Sequence, residues 1–129
     1  MKTTLGVFLV VALFGFSLRA AAHEMNHMHA APHASATLTG EVVDTGCYLG
    51  EGERGEGHLE CATQCIQQGM PMGLLTKQGK LYLVTMNHDN PDAYNKLKKM
   101  AGKMVTVTGV IMTRQGMKGI DIVSFKPAA

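Results

Sequence analysis

The sequence predicts a mainly β domain with two helices, in which five strands form a small barrel. Short segments rich in β-branched residues alternate apolar and polar positions, and glycine-containing turns separate them. Two other segments carry apolar residues at helical spacing, and a glycine follows each of them. The predicted order over residues 37–126 is strand, cysteine-bearing helical insertion, two strands, helix, two strands, with a short tail at residues 127–129.

An export signal is predicted ahead of the barrel. Lys2 makes the first residues positive, residues 5–16 are apolar, and three consecutive alanines end at Ala22 as a cleavage site of small residues. The apolar run is short for a helix that spans a bilayer. We therefore expect residues 1–22 to be a signal peptide, and the mature protein to be periplasmic or secreted with no membrane anchor.

A tract rich in histidine and methionine follows the predicted signal, at residues 23–36. It contains almost no core-forming residues, which predicts a disordered tail. Imidazole suits Cu(II) and thioether suits Cu(I), so the mixture indicates copper binding, although a spacer without function is an alternative. The candidate ligands in the tail are His23, Met25, His27, Met28, His29 and His33.

The charge balance argues against a nucleic-acid partner. Without Lys2 and Arg19 of the signal, the chain has ten basic and ten acidic residues. A nucleic-acid-binding domain needs a concentrated basic surface, and a single-strand binder also needs aromatic residues for stacking, which are few here.

The first strand is predicted at residues 37–44, with Gly40 as a bend or bulge. Thr45 and Gly46 should end it, and the glycine-rich residues 50–57 should form a mobile loop. This loop would let Cys47 approach the helix that follows.

That helix is predicted at residues 58–68, with Gly69 as its C-terminal cap. His58, Cys61 and Cys65 stand at i, i+3 and i+7, which places them within one narrow stripe of a helix. An adjacent stripe should face the core and consists of Leu59, Ala62 and Ile66.

Thiolate and imidazole gathered on one helix face predict a metal site, with copper preferred to zinc. A disulfide between Cys61 and Cys65 is disfavoured, because side chains one helical turn apart have Cβ atoms about 5–6 Å apart and a disulfide requires about 3.5–4.5 Å. The candidate ligands of this core site are Cys47, His58, Cys61, Cys65 and Met70. Met72 is expected to pack in the core.

Other uses of the cysteines stay open. Cys47 could form a disulfide with either helical cysteine, or the same residues could form a structural Cys3His zinc site in an interaction module. A thiol-disulfide protein is a further alternative, disfavoured by the C-x3-C spacing and by the absence of a βαβ pattern. We expect a binding protein rather than an enzyme, with a metal ion and a metal-donor or metal-acceptor protein as partners.

The remaining segments complete the barrel. A hairpin is predicted from residues 73–76 and 80–86, and a last hairpin from residues 103–112 and 118–125, with Gly109 as a bend in mid-strand. A helix between the hairpins should begin with Asn90 as its N-cap, just ahead of Pro91 and Asp92. Its predicted buried stripe is Tyr94, Leu97, Met100 and Ala101, whereas His88 in the loop before it should be a surface residue.

A helix between the third and fourth strands of a five-stranded barrel is the layout of an OB-fold. The segment AGKMVTVTGV at residues 101–110 resembles the helix-to-fourth-strand passage of small exported bacterial OB-fold domains. Within that group the chain resembles the periplasmic copper chaperones, and this resemblance implies an export signal, a small OB barrel and copper binding. Those chaperones stack a tryptophan over the copper, whereas this chain has no tryptophan, so none of their ligand positions carries over.

Overall fold

Five strands close into a barrel in the computed structural model, which describes residues 35–129. The order around the barrel is β1-β2-β3-β5-β4, and every neighbouring pair is antiparallel except β3 and β5, which are parallel. The strands are β1 (Ser35–Asp44), β2 (Met72–Thr76), β3 (Leu81–Met86), β4 (Met104–Arg114) and β5 (Met117–Pro127). The predicted fold, an OB-like barrel with a helical insertion after the first strand, is confirmed.

The part of the chain that the structure describes has three α-helices, one more than predicted. They are α1 (Thr45–Glu51), α2 (Leu59–Gln67) and α3 (Asp92–Leu97), and short 3-10 turns lie at Glu56–His58 and Lys98–Met100. The expectation that Thr45 and Gly46 lead directly into a loop is wrong, because the chain turns into α1 there. Asp44 explains this turn, since its side chain caps the new helix and accepts a hydrogen bond from the backbone N–H of Cys47 at 2.8 Å.

The core of the barrel continues into the insertion and into α3. Ala62 and Ile66 of α2 are buried in it as predicted, while Leu59 is only half-buried. Of the positions predicted for the second helix, Leu97 at the end of α3 and Ala101 after the 3-10 turn are buried, and Tyr94 and Met100 pack against the core. The other buried members of the core are Val42, Met72, Leu74, Tyr82, Val84, Ala93, Val105, Val107, Ile120 and Ile122.

Two glycines allow the strands to approach closely enough for closure. At Gly109, where a bend was predicted and the register of β4 and β5 shifts, a Cβ atom would overlap the carbonyl oxygen of Asp121. At Gly40 a Cβ atom would lie 2.6 Å from the carbonyl oxygen of Leu75. Gly40 pairs in regular register, so its role is close approach rather than a bulge.

The start of α3 differs from the prediction by one residue. Pro91, rather than Asn90, occupies the N-cap position, and no side chain caps the helix. Asn87 shapes the preceding turn instead, because its side-chain oxygen accepts hydrogen bonds from the backbone N–H groups of Asp89 and Asn90 at 2.9 and 3.1 Å. Across residues 35–129, no helix is long and apolar enough to cross a membrane.

Candidate metal centre

The insertion leaves and re-enters the barrel at neighbouring points. Asp44, the last residue of β1, is paired with Met72, the first residue of β2. Both the backbone N–H and the side-chain hydroxyl of Thr45 donate hydrogen bonds to the carbonyl oxygen of Pro71, each at 3.0 Å. This closure holds α1 against the segment that follows α2, and so places Cys47 near the cysteines of α2.

The buried face of α2 fixes the direction of its cysteines. Ala62 and Ile66 anchor the helix to the core, with 3% and 1% of their surface exposed. Cys61 and Cys65 each precede one of these anchors in the sequence, so they lie on the adjacent face, at the junction with α1. Cys61 is exposed and Cys65 is half-buried.

The sulfur atoms of Cys47, Cys61 and Cys65 all lie within 4.8 Å of one another. The two α2 sulfurs are 4.0 Å apart, about twice the length of a disulfide bond, and all three cysteines are free. Three mutually close sulfurs with one side open to solvent form a cluster that could hold a metal ion, which we call the thiol cluster.

A second group of possible ligands shares Cys47 with the thiol cluster. It consists of Asp44, Cys47 and His58, whose ligand atoms also lie within 4.8 Å of one another, and we call it the mixed cluster. The Nε2 atom of His58 is 3.3 Å from Oδ2 of Asp44. The Asp44 side chain is completely enclosed, and 12% of the His58 side chain is exposed.

The structure therefore does not gather His58 and all three sulfurs into one set of mutually close atoms. His58 ends the 3-10 turn that precedes α2 and has φ −110° and ψ 3°, outside helical geometry. The predicted stripe assumed 100° per residue from position 58 onward, and that rotation does not apply to this residue. Cys47 is the residue common to both clusters.

Sequence reasoning missed Asp44 as a candidate ligand. Its carboxylate caps α1 through Oδ1 and faces His58 through Oδ2, so one side chain orients both Cys47 and the imidazole. The signal that could have revealed it is an aspartate followed by Thr45 and Gly46 at a strand end, since Asp is a preferred N-cap residue.

The protein environment raises the pKa of two thiols in the metal-free site. The hydrogen bond that the Cys47 thiol donates to Asp44, followed by its partial burial and the negative charge of that carboxylate, raises the pKa of Cys47 to about 12. Partial burial, followed by interaction with Cys61, raises the pKa of Cys65. Both thiols are therefore protonated at neutral pH, and a metal ion must displace their protons to bind.

Met70 lies beside the centre rather than in the barrel core. A Cβ atom at Gly46, the residue before Cys47, would lie 2.9 Å from the sulfur of Met70. The backbone N–H of Met70 also donates a hydrogen bond to the carbonyl oxygen of Cys65 at 2.9 Å. Met72 is fully buried in the core, and His88 is exposed in a loop.

The other predicted features fall outside the described residues. These are the signal peptide at residues 1–22 and the tail ligands His23, Met25, His27, Met28, His29 and His33. No protein-family profile, curated protein or solved structure matches the chain.

Proposed function

We propose that this protein is an exported copper(I)-binding protein that traffics or sequesters copper, and that Cys47, Cys61 and Cys65 hold the ion. The observation that carries the proposal is the mutual approach of three cysteine sulfurs within 4.8 Å. Thiolate sulfur is the ligand type that selects a soft ion such as Cu(I).

The separation of the two α2 sulfurs is compatible with a planar three-sulfur arrangement around one ion. A zinc–sulfur bond is about 2.3 Å long, and a copper(I)–sulfur bond is of similar length. For an ion at this distance from both sulfurs, the observed separation of 4.0 Å gives a sulfur–metal–sulfur angle of about 121°. Three sulfurs in a plane around Cu(I) give sulfur–metal–sulfur angles of about 120°. The smaller angle of a tetrahedral zinc site with the same bond lengths corresponds to sulfurs about 3.8 Å apart.

The exposure of the cluster suits an ion that is passed on. Cys61 is exposed on the surface, so an incoming thiol or thioether ligand can reach the ion from solvent. Export is proposed from residues 1–22, and the histidine- and methionine-rich tail is proposed to collect copper for the cluster.

Two alternatives have less support from the geometry. A Cys3His zinc site needs His58 beside all three sulfurs, but its Nε2 faces Asp44 and shares a cluster only with Cys47 among the cysteines. A thiol-disulfide protein needs a thiol with a lowered pKa, whereas the pKa of Cys47 and that of Cys65 are raised.

Competitive titration with Cu(I) tests the proposal. The full chain is reduced, kept free of oxygen and titrated against a chromophoric Cu(I) chelator, together with the single variants Cys47→Ser, Cys61→Ser and Cys65→Ser. Each of these should weaken the tightest Cu(I) site by more than the roughly 10- to 100-fold change produced by altering residues around a metal ligand.

His88→Ala is the matched control, because His88 is exposed in the loop before α3 and lies in neither cluster. It should leave the tightest site unchanged. Equal Cu(I) affinity in all four variants would refute the proposal, and zinc that Cu(I) cannot displace from the cysteines would favour the structural zinc site.

A further inference from the structure

We propose that the mixed cluster of Asp44, Cys47 and His58 is a second metal site that takes a divalent ion, best matched by zinc(II). The Cys47 thiolate would then bridge this ion to the copper(I) ion of the thiol cluster. The bridging arrangement depends on the proposed function for the first ion, whereas the mixed site itself depends only on its own three ligands.

The spacing between Asp44 and His58 is that of a long hydrogen bond, and it also suits two ligands of one ion. Charge-assisted hydrogen bonds from nitrogen to a carboxylate are about 2.7–2.9 Å long, and Oδ2 and Nε2 are 3.3 Å apart. For an ion about 2.1 Å from each atom, that separation gives an oxygen–metal–nitrogen angle of about 104°, close to the tetrahedral angle preferred by zinc.

The surrounding contacts hold both side chains in the ligating orientation. Oδ1 of Asp44 accepts the backbone N–H of Cys47 at 2.8 Å, which leaves Oδ2 directed at the imidazole. The other ring nitrogen of His58, Nδ1, lies 3.9 Å from Oε2 of Glu53. A histidine that binds metal through one ring nitrogen usually donates a hydrogen bond from the other to a carboxylate, a backbone carbonyl or water. The Glu53 carboxylate lies beside this second nitrogen, beyond hydrogen-bond distance.

The loop that carries Glu53 is fastened to the barrel close to this site. The backbone N–H of Gly55 donates a hydrogen bond to the carboxylate of Glu41 on β1. Gly55 has a φ of +76°, a left-handed conformation that glycine adopts without strain. The backbone two residues after Glu53 is therefore fixed to β1, although the Glu53 side chain itself is exposed.

Charge also favours a second cation once copper is bound. Three thiolates and one Cu(I) ion carry a net charge of −2, and the enclosed carboxylate of Asp44 adds a third negative charge within 4.8 Å of the Cys47 sulfur. A divalent ion bound between Asp44 and Cys47 would reduce this net charge from −3 to −1.

Cobalt(II) absorption tests the second site, with Co(II) as the spectroscopic substitute for zinc. The reduced full chain is first loaded with one equivalent of Cu(I) and then titrated with Co(II) in the absence of oxygen. We expect a thiolate-to-cobalt charge-transfer band that saturates at one equivalent. The tail contains no cysteine, so cobalt bound there cannot produce this band.

Three variants assign the band to its ligands. Asp44→Asn and His58→Ala should each lose the cobalt band while retaining Cu(I) at the thiol cluster. Asparagine is as good an N-cap as aspartate, so Asp44→Asn should preserve α1. The double variant Cys61→Ser/Cys65→Ser should lose the tight Cu(I) site and retain the band. The matched control, His88→Ala, should retain both.

The outcomes separate this inference from the proposed function. The absence of a thiolate–cobalt band in copper-loaded protein, or a band equally strong in His58→Ala and His88→Ala, would overturn the second site while leaving copper binding intact. Loss of Cu(I) binding together with a band that depends on Asp44 and His58 would refute the copper proposal and keep the mixed site.

Discussion

Replacing Asp44 with alanine should destabilise the metal-free domain more than any surface substitution. The carboxylate caps α1 through the 2.8 Å hydrogen bond from Cys47, and loss of such a cap costs about 1 kcal/mol. It also faces the imidazole of His58, whose side chain is only 12% exposed, and a buried donor left without its acceptor costs about 1–3 kcal/mol. The expected loss in the free energy of unfolding is therefore about 2–4 kcal/mol.

Thermal unfolding followed by circular dichroism measures this loss, on metal-free protein with reductant at pH 7. For a domain of this size a loss of 1 kcal/mol lowers the melting temperature by about 4–8 °C, so Asp44→Ala should lower it by at least about 8 °C. Asp44→Asn is the control, since an amide oxygen can still cap the helix, and it should cost less than about 1 kcal/mol. Equal melting temperatures for wild type and Asp44→Ala would refute the role assigned to this carboxylate.

Three further results are expected of the metal-free protein. Folding raises the pKa of Cys47 to about 12, so the contribution of this protonated thiol to the free energy of unfolding is complete below about pH 8.5 and is lost as the pH rises toward 12. Denaturant titrations over this pH range should show a smaller loss of stability in Cys47→Ser than in the wild type. Equal losses of stability in the two proteins would contradict the raised pKa of Cys47. Ile66→Ala should cost about 2–5 kcal/mol because Ile66 is 1% exposed, whereas Leu49→Ala, at a residue 71% exposed, should cost less than about 0.5 kcal/mol in the same titration. Gly109→Ala should destabilise the barrel, since its Cβ atom would overlap the Asp121 carbonyl oxygen, and an unchanged melting temperature would show that the strands can separate there.

The barrel could be predicted because its determinants are local. Strands β1, β4 and β5 carry their own alternation of apolar and polar residues, and the turns between paired strands contain glycine, as at Gly79 and Gly116. The bend at Gly109 could be anticipated for the same reason. The order of the elements along the chain, with α3 between the two hairpins, could also be predicted, whereas the parallel pairing of β3 with β5 was not.

Helix α1 could not be predicted in this way, because its sequence is a poor helix former. Thr45, Gly46 and Gly50 all have low helix propensity, and none of its residues is buried, so no apolar stripe marks it. Its stability comes from the Asp44 cap and from the hydrogen bonds of Thr45 to Pro71, a residue 26 positions further along the chain. Contacts of that range are fixed only when β1 and β2 pair.

The candidate site was predictable in part for a related reason. The spacing of Cys61 and Cys65 implied that their sulfurs lie on one face, and the structure places them 4.0 Å apart. The grouping of His58 with Asp44 depends on the 3-10 turn before α2 and on the end of β1. Neither the turn nor the strand end produces a periodic pattern in the sequence from which the contact between His58 and Asp44 could be predicted.

X-ray absorption at the copper K-edge is the most direct test of the central claim that three cysteine sulfurs surround one ion. On reduced protein loaded with one equivalent of Cu(I), the account predicts three sulfur ligands at about 2.3 Å, and two in Cys47→Ser. A first shell of nitrogen and oxygen alone, or a sulfur count that Cys47→Ser leaves unchanged, would contradict it.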